Sequence, residues 1–247
     1  MAEPYLAGRT ALVTGAAAGL GRVLSQTLAA LGARLILVDV DGEALEATAD
    51  MLGDAPGGAV PLVLDVADAT AVRAAFDQVS PVEVLVNNAG ICPLTPPDEI
   101  GEEEWDRVLD VNLKGAFLCT QAALAGLRAA GWGRVINVTS LAGQMGGIAV
   151  GVHYAASKAG LLGLTKSFAR LLAPHGVTVN AVAPATLEGG LTLDWPESVR
   201  ADLQSQIPLG RFIRPLEVAA VVGFLCSPAA DAITGATIDV NAGLFMR

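Results

Sequence analysis

The sequence predicts an α/β protein with a single doubly wound Rossmann domain, in which a parallel seven-stranded sheet is flanked by helices. Short apolar runs alternate with longer helix-like segments along the whole chain. The runs are apolar on both faces, as strands buried in a parallel sheet are. A chain of 247 residues also suits one large α/β domain. Repeated strand–helix units of this kind favour one sheet with right-handed crossovers.

The strand candidates are rich in Val, Ile and Leu, and they lie at 11–14, 34–39, 60–65, 84–87, 134–139, 178–183 and 236–240. The helix candidates lie between or after them, at 20–31, 41–51, 67–79, 105–130, 154–173 and 215–227. No linker divides the chain, so one domain over 1–247 is predicted. The longest irregular stretch, 187–208, follows the sixth strand, where a loop that covers a ligand is expected.

Composition narrows the classes of function. Hydrophobic residues make up 53% and charged residues 16%, which leaves apolar surface for subunit interfaces. The net charge of -10 disfavours a nucleic-acid partner. No apolar run approaches the roughly 18 residues of a membrane span. Three cysteines without paired spacing indicate a reducing compartment, so a cytoplasmic protein is expected, and two distant histidines predict no metal site.

The first strand runs into Thr14-Gly15-Ala-Ala-Ala-Gly19-Leu20-Gly21, which opens the first helix. Glycine adopts backbone dihedrals that other residues resist, and it lets a ligand approach closely. The N–H groups at the start of a helix then favour a pyrophosphate. The spacing is GxxxGxG, which differs from the GxGxxG dinucleotide fingerprint. The position of the turn between strand and helix nevertheless predicts a nucleotide site.

Asp39 ends the second strand. A carboxylate at that place accepts hydrogen bonds from an adenosine ribose and repels a 2′-phosphate. The alanines at 16–18 supply no cation to counter it, so NAD is predicted in preference to NADP. The alternative is that Asp39 only caps the helix predicted at 41–51.

Tyr154 and Lys158 are four residues apart on a predicted helix, so their side chains share one face. A free tyrosine has a pKa near ~10, and a nearby ammonium group lowers it. The two residues can therefore form a proton-transfer pair. The alternative for an isolated match is an exposed amphipathic surface.

Further motifs accompany these two in a fixed order: Asp65-Val66, Asn87-Asn88-Ala89-Gly90, Asn112, Ser140, Asn180-Ala-Val-Ala-Pro184 and Asp239-Val-Asn241-Ala-Gly243. With the glycine-rich turn and Tyr154-xxx-Lys158, they make the chain resemble the short-chain dehydrogenase/reductase family over 10–243. The resemblance implies a dinucleotide held by Gly15, Gly19, Leu20, Gly21, Asp39, Asp65, Val66, Asn88, Ala89, Gly90, Tyr154, Lys158, Pro184 and Leu187. Asp65 would bind the adenine amino group, and 184–187 would contact the nicotinamide end.

The same resemblance implies the catalytic roles. Tyr154 would be the acid in reduction and the base in oxidation. Lys158 would lower the pKa of Tyr154 and bind the nicotinamide ribose. Ser140 would hold the substrate oxygen, although a serine there also suits a helix or turn cap. Asn112 would anchor a water molecule that joins Lys158 to solvent.

The chain departs from the family pattern beside the site. Ser140 precedes Tyr154 by 14 residues, one more than is usual. Ala185 follows Pro184 where glycine is common, and Gly189 stands where a threonine often contacts the cofactor. Thr186 and Thr192 are the two candidates for that threonine's role.

The substrate is expected to be a free, small hydrophobic secondary alcohol or ketone. The predicted walls are mainly apolar, and each also suits ordinary packing: Leu94, Ala142, Gln144, Met145, His153, Leu187, Leu191 and Trp195. Relatives that reduce 3-oxoacyl groups on an acidic carrier protein use basic residues at two helix ends, where this chain has Gly131 and His175. Reduction of a 3-oxoacyl carrier protein or acyl-CoA is the alternative, and a non-catalytic dinucleotide sensor or scaffold is another. The resemblance and the apolar helices imply a homotetramer.

Overall fold

All seven strands lie in one parallel sheet, in the order β3-β2-β1-β4-β5-β6-β7. The computed structural model describes residues 4–53, 55, 57–79, 81–147, 150–189, 192 and 196–246. The strands are β1 Thr10–Thr14, β2 Arg34–Asp39, β3 Ala59–Val63, β4 Val84–Asn87, β5 Gly133–Val138, β6 Val177–Pro184 and β7 Thr237–Val240. The predicted fold class is confirmed. The third strand, predicted at 60–65, ends at Val63, and Asp65 beyond it accepts a hydrogen bond from the Ala67 N–H and closes a turn.

The helices are α1 Gly19–Ala30, α2 Gly42–Leu52, α3 Ala69–Gln78, α4 Glu102–Leu109, α5 Gly115–Ala130, α6 Ala142–Met145, α7 Val152–Leu172, α8 Glu197–Ser205 and α9 Pro215–Cys226. Two predictions of helices were wrong. The helix predicted at 105–130 begins earlier and contains a π-helical turn, Asp110–Lys114, between α4 and α5. The stretch predicted as irregular at 187–208 contains α8.

The helices cover both faces of the sheet. One apolar layer joins the sheet to α1, α2 and α9, and its central side chains include Leu24, Leu28 and Val222. The other joins the sheet to α3, α5 and α7, with Leu127 and Leu172 fully buried. The strand order reverses between β1 and β4, and in doubly wound sheets a ligand crevice lies at the carboxyl ends of such strands.

A buried polar ladder crosses the sheet below that crevice. The Asn87 amide donates to Asn137 Oδ1 at 2.8 Å and to Thr120 Oγ1 at 3.1 Å. The Asn137 amide donates in turn to Thr165 Oγ1 at 2.9 Å. All four side chains are buried, so the ladder ties β4 and β5 to α5 and α7 with satisfied donors.

Within the described ranges, no helix has both the length and the hydropathy of a membrane-spanning segment. The same ranges hold no group of three or more His, Cys, Asp or Glu side chains that could bind a metal ion. Cys92, Cys119 and Cys226 are all free thiols.

Candidate active site

The glycine-rich turn lies directly against the end of β4. Gly15 has a φ of +67°, and a Cβ there would lie 2.9 Å from both Ala89 Cα and Asn88 Nδ2. A Cβ on Gly21 would lie 1.8 Å from the Gly15 carbonyl oxygen. Gly19 faces open space beside the cavity, and no side chain caps the start of α1. Uncapped N–H groups beside open space fit a bound pyrophosphate.

Thr14 and Asn88 hold this turn in place. Thr14 Oγ1 accepts hydrogen bonds from the N–H groups of Asn88 and Ala89, both at 3.0 Å. The Asn88 amide donates to the carbonyls of Thr14 at 3.0 Å and Gly15 at 3.1 Å. Asn88 lines the cavity, and its amide donors support the turn, which sequence reasoning missed. Its contact with an adenosine ribose stays a prediction.

Asp39 does not cap α2. The cap is Asp41, whose Oδ1 accepts a hydrogen bond from the Ala44 N–H at 3.1 Å. Asp39 lies instead beside the glycine-rich turn, where its Oδ2 accepts from the Ala17 N–H at 3.0 Å. Its other oxygen accepts from the Val40 N–H at 2.8 Å. The carboxylate is therefore fixed at the place where an adenosine ribose is expected.

Asp65 and Val66 support the helix behind the crevice. One Asp65 oxygen forms the turn with Ala67, and the other lies 2.9 Å from the Arg107 guanidinium on α4. Val66 packs on Gly115 at the start of α5, where a Cβ would lie 2.7 Å from Val66 Cγ2. The role of Asp65 at an adenine ring stays a prediction.

Tyr154 and Lys158 lie on the first two turns of α7. The Lys158 side chain is buried, and its Nζ donates to the Val138 carbonyl at 2.9 Å. Nζ lies 5.7 Å from the centre of the Tyr154 ring. Ser140, just beyond β5, forms a hydrogen bond with Tyr154, and its Oγ also accepts from the Ala142 N–H at 3.1 Å. Ser140 therefore contacts the start of α6, whose N-cap is Leu141, and reaches the tyrosine at the same time.

Asn112 lies on the π-helical turn, close to Lys158 and to the segment that follows β4. Its Nδ2 donates to the Ile91 carbonyl at 2.9 Å and to Ser157 Oγ at 3.0 Å. Its Oδ1 accepts from the Ile91 N–H at 2.8 Å. A Cβ on Gly90 would lie 3.2 Å from Asn112 Oδ1 and 3.3 Å from Lys158 Nζ. Asn112, Gly90 and Lys158 are therefore close together, and the water molecule that Asn112 would anchor stays a prediction.

The predicted lowering of the Tyr154 pKa by Lys158 is wrong for this structure. Burial raises the pKa of Tyr154 to about 12, a negative charge on the Cys92 sulfur adds to the rise, and the hydrogen bond with Ser140 opposes it. Burial lowers the pKa of Lys158 to about 8, and the Cys92 charge opposes that fall. The physical reason is desolvation, which disfavours the charged form of both groups.

A cavity of about 420 Å³ lies over Ser140, Tyr154 and Lys158. Among the predicted residues, Met145 and Leu187 line it, together with Leu94 and Ala142. Pro184, Thr186 and Thr192 also lie in its wall, and the Thr192 hydroxyl is bonded within its own loop, to both backbone groups of Gly189 at 3.1 Å.

Two predicted wall residues point elsewhere. The Gln144 amide donates to Asp239 Oδ1 at 2.6 Å, because the short helix α6 turns it toward β7. His153 is buried beside Glu104 and does not line the cavity. Leu191 and Trp195 lie outside the described residues.

Sequence reasoning missed several side chains of the wall, among them the apolar Leu203, Ile207 and Leu244. Leu203 and Ile207 are four residues apart, a helical spacing that could have revealed them. Leu244 follows β7 in a turn, and no sequence pattern marks it.

The fold and the site together define a dinucleotide-dependent oxidoreductase. A family model described as Enoyl-(Acyl carrier protein) reductase matches residues 15–245. A 3-oxoacyl-[acyl-carrier-protein] reductase from Aquifex aeolicus is 40% identical over 248 residues, which cover 98% of this chain and 100% of the relative. A (3R)-3-hydroxyacyl-CoA dehydrogenase from Rattus norvegicus is 41% identical over 250 residues, 96% of each chain. The chain belongs to the short-chain dehydrogenase/reductase family.

Solved structures agree with this assignment. A 3-oxoacyl-[acyl-carrier protein] reductase from Brucella melitensis has a TM-score of 0.92 and 36% identity, covers 99% of this chain and 94% of its own, and has NAD bound. A reductase of the same name from Brucella melitensis ATCC 23457 has a TM-score of 0.94 and 35% identity, with the same coverage. The chain is therefore an oxidoreductase of CH–OH groups rather than a non-catalytic sensor or scaffold.

Proposed function

We propose that this enzyme interconverts 3-oxoacyl and 3-hydroxyacyl thioesters and uses NAD(H). The observation that carries the proposal is the likeness, over the whole chain, to enzymes named for these two substrates. The site supports it, because Ser140 and Tyr154 lie at the floor of a cavity with mainly apolar walls. An acyl chain suits such walls, and the two hydroxyl groups suit the oxo oxygen.

When bound, NAD(H) supplies or accepts the hydride. Ser140 orients the substrate oxygen by a hydrogen bond from its hydroxyl. Tyr154 donates the proton that neutralises this oxygen during reduction, and its pKa of about 12 keeps it protonated for that task at neutral pH. During oxidation the same oxygen atom of Tyr154 takes the proton back, as microscopic reversibility requires.

Lys158 is the group that exchanges this proton with its surroundings. Its pKa of about 8 is close to neutral, so both protonation states are accessible. Asn112 contacts Ser157 Oγ, and Ser157 donates in turn to the Tyr154 carbonyl at 2.7 Å. We assign Asn112 the anchoring of a water molecule that links Lys158 to solvent.

Three observations support NAD(H) as the cofactor. Asp39 holds a carboxylate beside the glycine-rich turn, where a 2′-phosphate would be repelled. Arg22, a cation next to that turn, already donates hydrogen bonds to the Ala17 carbonyl at 2.6 Å and to Thr48 Oγ1 at 3.0 Å. Those donors are therefore used within the protein and are not directed at a 2′-phosphate. A related reductase has NAD bound.

A free hydrophobic ketone or secondary alcohol is the second candidate substrate. Among the described residues that line the cavity, Lys158 is the only lysine or arginine, and it is buried at the floor. Glu188 adds a carboxylate to the wall. Neither feature favours the anionic carrier of a thioester, whereas both are compatible with an uncharged ketone.

A substrate panel separates the two candidates. The same 3-oxoacyl chain is offered on coenzyme A and on acyl carrier protein, beside cyclic and aryl ketones, and each is assayed with NADH and NADPH. We expect kcat/KM for a thioester to exceed that for any ketone by ~10-fold or more, the scale that a few substrate contacts provide. A ketone that exceeds both thioesters by that factor would replace the main proposal with the second.

We further propose a cytoplasmic homotetramer. The free cysteines support a reducing compartment. A shallow groove between α5 and α7, lined by Leu113, Phe117 and Leu164, supports a subunit interface, because a large apolar side chain is exposed there. We assign 187–208 to substrate binding, since its described parts carry Leu187, Leu203 and Ile207 into the cavity wall.

A further inference from the structure

His153 immediately precedes Tyr154 and takes no part in the proposed chemistry. Its side chain is 0% exposed, and its ring does not line the cavity. Nε2 lies 2.9 Å from Glu104 Oε1 on α4. A buried imidazole is costly unless its polar atoms are bonded. Glu104 is the partner of Nε2, whereas Nδ1 has no hydrogen-bond partner among the described residues.

The Glu104 carboxylate joins three parts of the molecule. One oxygen meets His153 on the first turn of α7, and the other accepts a hydrogen bond from Thr95 Oγ1 at 2.9 Å. The Trp105 ring stacks on the His153 ring, with 6.5 Å between centres and an angle of 21°. Helix α4, helix α7 and the segment 91–100 therefore meet at a single side chain.

The start of α7 is packed around the histidine ring. A Cβ on Gly151 would lie 2.3 Å from His153 Cε1 and 3.1 Å from the Pro93 carbonyl oxygen. Gly151, which begins the helix, provides no side-chain cap. The bond from His153 to Glu104 therefore orients a helix end that lacks the usual side-chain cap.

Both ends of this contact lead to the active site. Tyr154 follows His153 on the same helical turn, so a shift of that turn moves the phenol. Thr95 belongs to the segment whose Ile91 backbone is bonded to Asn112 and whose Cys92 and Leu94 line the cavity. The carboxylate thus relates the tyrosine to one wall of the cavity.

We propose that Glu104 and His153 are a positioning pair, which holds Tyr154 and the cavity wall at 91–95 in the geometry that proton transfer requires. Neither residue touches the reacting atoms. The inference rests on the proposed role of Tyr154. Removal of the carboxylate leaves the buried imidazole without its acceptor and frees the Thr95 hydroxyl, so the first turn of α7 settles into a new position.

The test uses the intact enzyme and compares Glu104→Ala with Glu104→Gln. The glutamine amide oxygen still accepts a hydrogen bond from the imidazole, whereas alanine accepts none. Glu103→Ala, an exposed carboxylate one residue away on α4, is the matched control. We expect Glu104→Ala to lower kcat by ~10-fold or more, because small misplacements of reacting groups have effects of this size.

Three further results are expected together. The KM for the dinucleotide stays unchanged in Glu104→Ala, Glu104→Gln recovers most of kcat, and Glu103→Ala behaves as the wild type. A kcat of Glu104→Ala equal to the wild-type value, or a Glu104→Gln enzyme as slow as Glu104→Ala, would overturn the proposal.

If Glu104→Ala does not fold, Thr95→Val provides a second test of the same proposal. This near-isosteric change removes only the hydroxyl donor, and we expect it to raise the KM of the oxo substrate more than it lowers kcat. An unchanged KM would contradict the link to the cavity wall. Tyr154→Phe is the reference variant. If Tyr154→Phe stays active, the proposed role of the tyrosine is contradicted. If Tyr154→Phe is inactive and Glu104→Ala keeps the wild-type kcat, only the proposed positioning pair is contradicted.

Discussion

At the scale of residues, the spacing of Tyr154 and Lys158 predicted their shared helix face but not their burial. Their separation of four predicts a shared helix face, and the structure places both on α7. It does not reveal that Lys158 is buried against the Val138 carbonyl. Because desolvation depends on tertiary packing, the direction of the Tyr154 pKa shift could not be read from the two residues alone.

These pKa values predict opposite pH dependence for the two reaction directions. Reduction needs a proton on Tyr154 and a supply from Lys158, whose pKa is about 8, so its kcat falls as pH rises through that value. Oxidation needs a proton acceptor, so its kcat rises over the same interval. Steady-state kcat measured in both directions across the neutral and alkaline range checks this. Profiles that move in the same direction would contradict the proton path through Lys158.

Asp39→Ala tests the contact that selects the cofactor. Without the carboxylate, a 2′-phosphate is no longer repelled, and the positive charge of Arg22, whose guanidinium is bonded to the Ala17 carbonyl of the same turn, favours it. We expect the ratio of kcat/KM for NAD over NADP to fall by ~10-fold or more, as loss of one charge contact costs. Adding Arg22→Ala to this variant should abolish the gain for NADP. A ratio that Asp39→Ala leaves unchanged would remove Asp39 from the cofactor site.

At the scale of elements, the sequence predicted the helices and strands with a regular apolar period. It missed the elements in which this period is interrupted. Helical periodicity covers 105–130 as a single helix, but one wider turn at Asp110–Lys114 lies inside it and carries Asn112. Such π-helical turns often occur at functional sites, and one wider turn barely disturbs an apolar pattern. Helix α8 was missed because Gly189, Gly190 and Pro208 surround it.

Gly90→Ala tests the packing between the end of β4 and the π-helical turn. The added methyl group would lie 3.2 Å from Asn112 Oδ1 and 3.3 Å from Lys158 Nζ, so both must move by a few tenths of an ångström. We expect kcat to fall by ~10-fold, since catalytic groups tolerate little displacement. Gly101→Ala is the control, because its Cβ would meet nothing within 4 Å. Equal kcat in the two variants would show that this packing does not set the geometry.

At the scale of the whole molecule, the fold was predictable because most strands are apolar runs and helical segments separate them. The polar ladder through Asn87 and Asn137 was not, since its partners Thr120 and Thr165 are distant in sequence and meet only when the sheet forms. The sequence predicted that the glycine-rich turn binds a nucleotide. It did not predict the hydrogen bonds by which Thr14 and Asn88 hold this turn, because they form only when β1 and β4 are neighbours in the sheet.

The proposed tetramer is a prediction about the whole assembly. Phe117 is 38% exposed on α5 and packs only partly on Phe168, at 6.3 Å between ring centres. We expect light scattering to give about four times the chain mass of 25.1 kDa, and Phe117→Glu to reduce it by placing a charge in the apolar groove. Met51→Glu, at an exposed position on α2, should leave the mass unchanged. A monomeric wild type would overturn the assembly.

The most direct measurement is single-turnover oxidation of NADH by a 3-oxoacyl thioester in the wild type and in Tyr154→Phe. Phenylalanine keeps the ring and removes the hydroxyl that Ser140 contacts. We expect hydride transfer to slow by ~10²-fold or more, the contribution of a positioned acid, while NADH binding measured by fluorescence is unchanged. Hydride transfer at the wild-type rate in Tyr154→Phe would contradict the central claim that this tyrosine handles the proton.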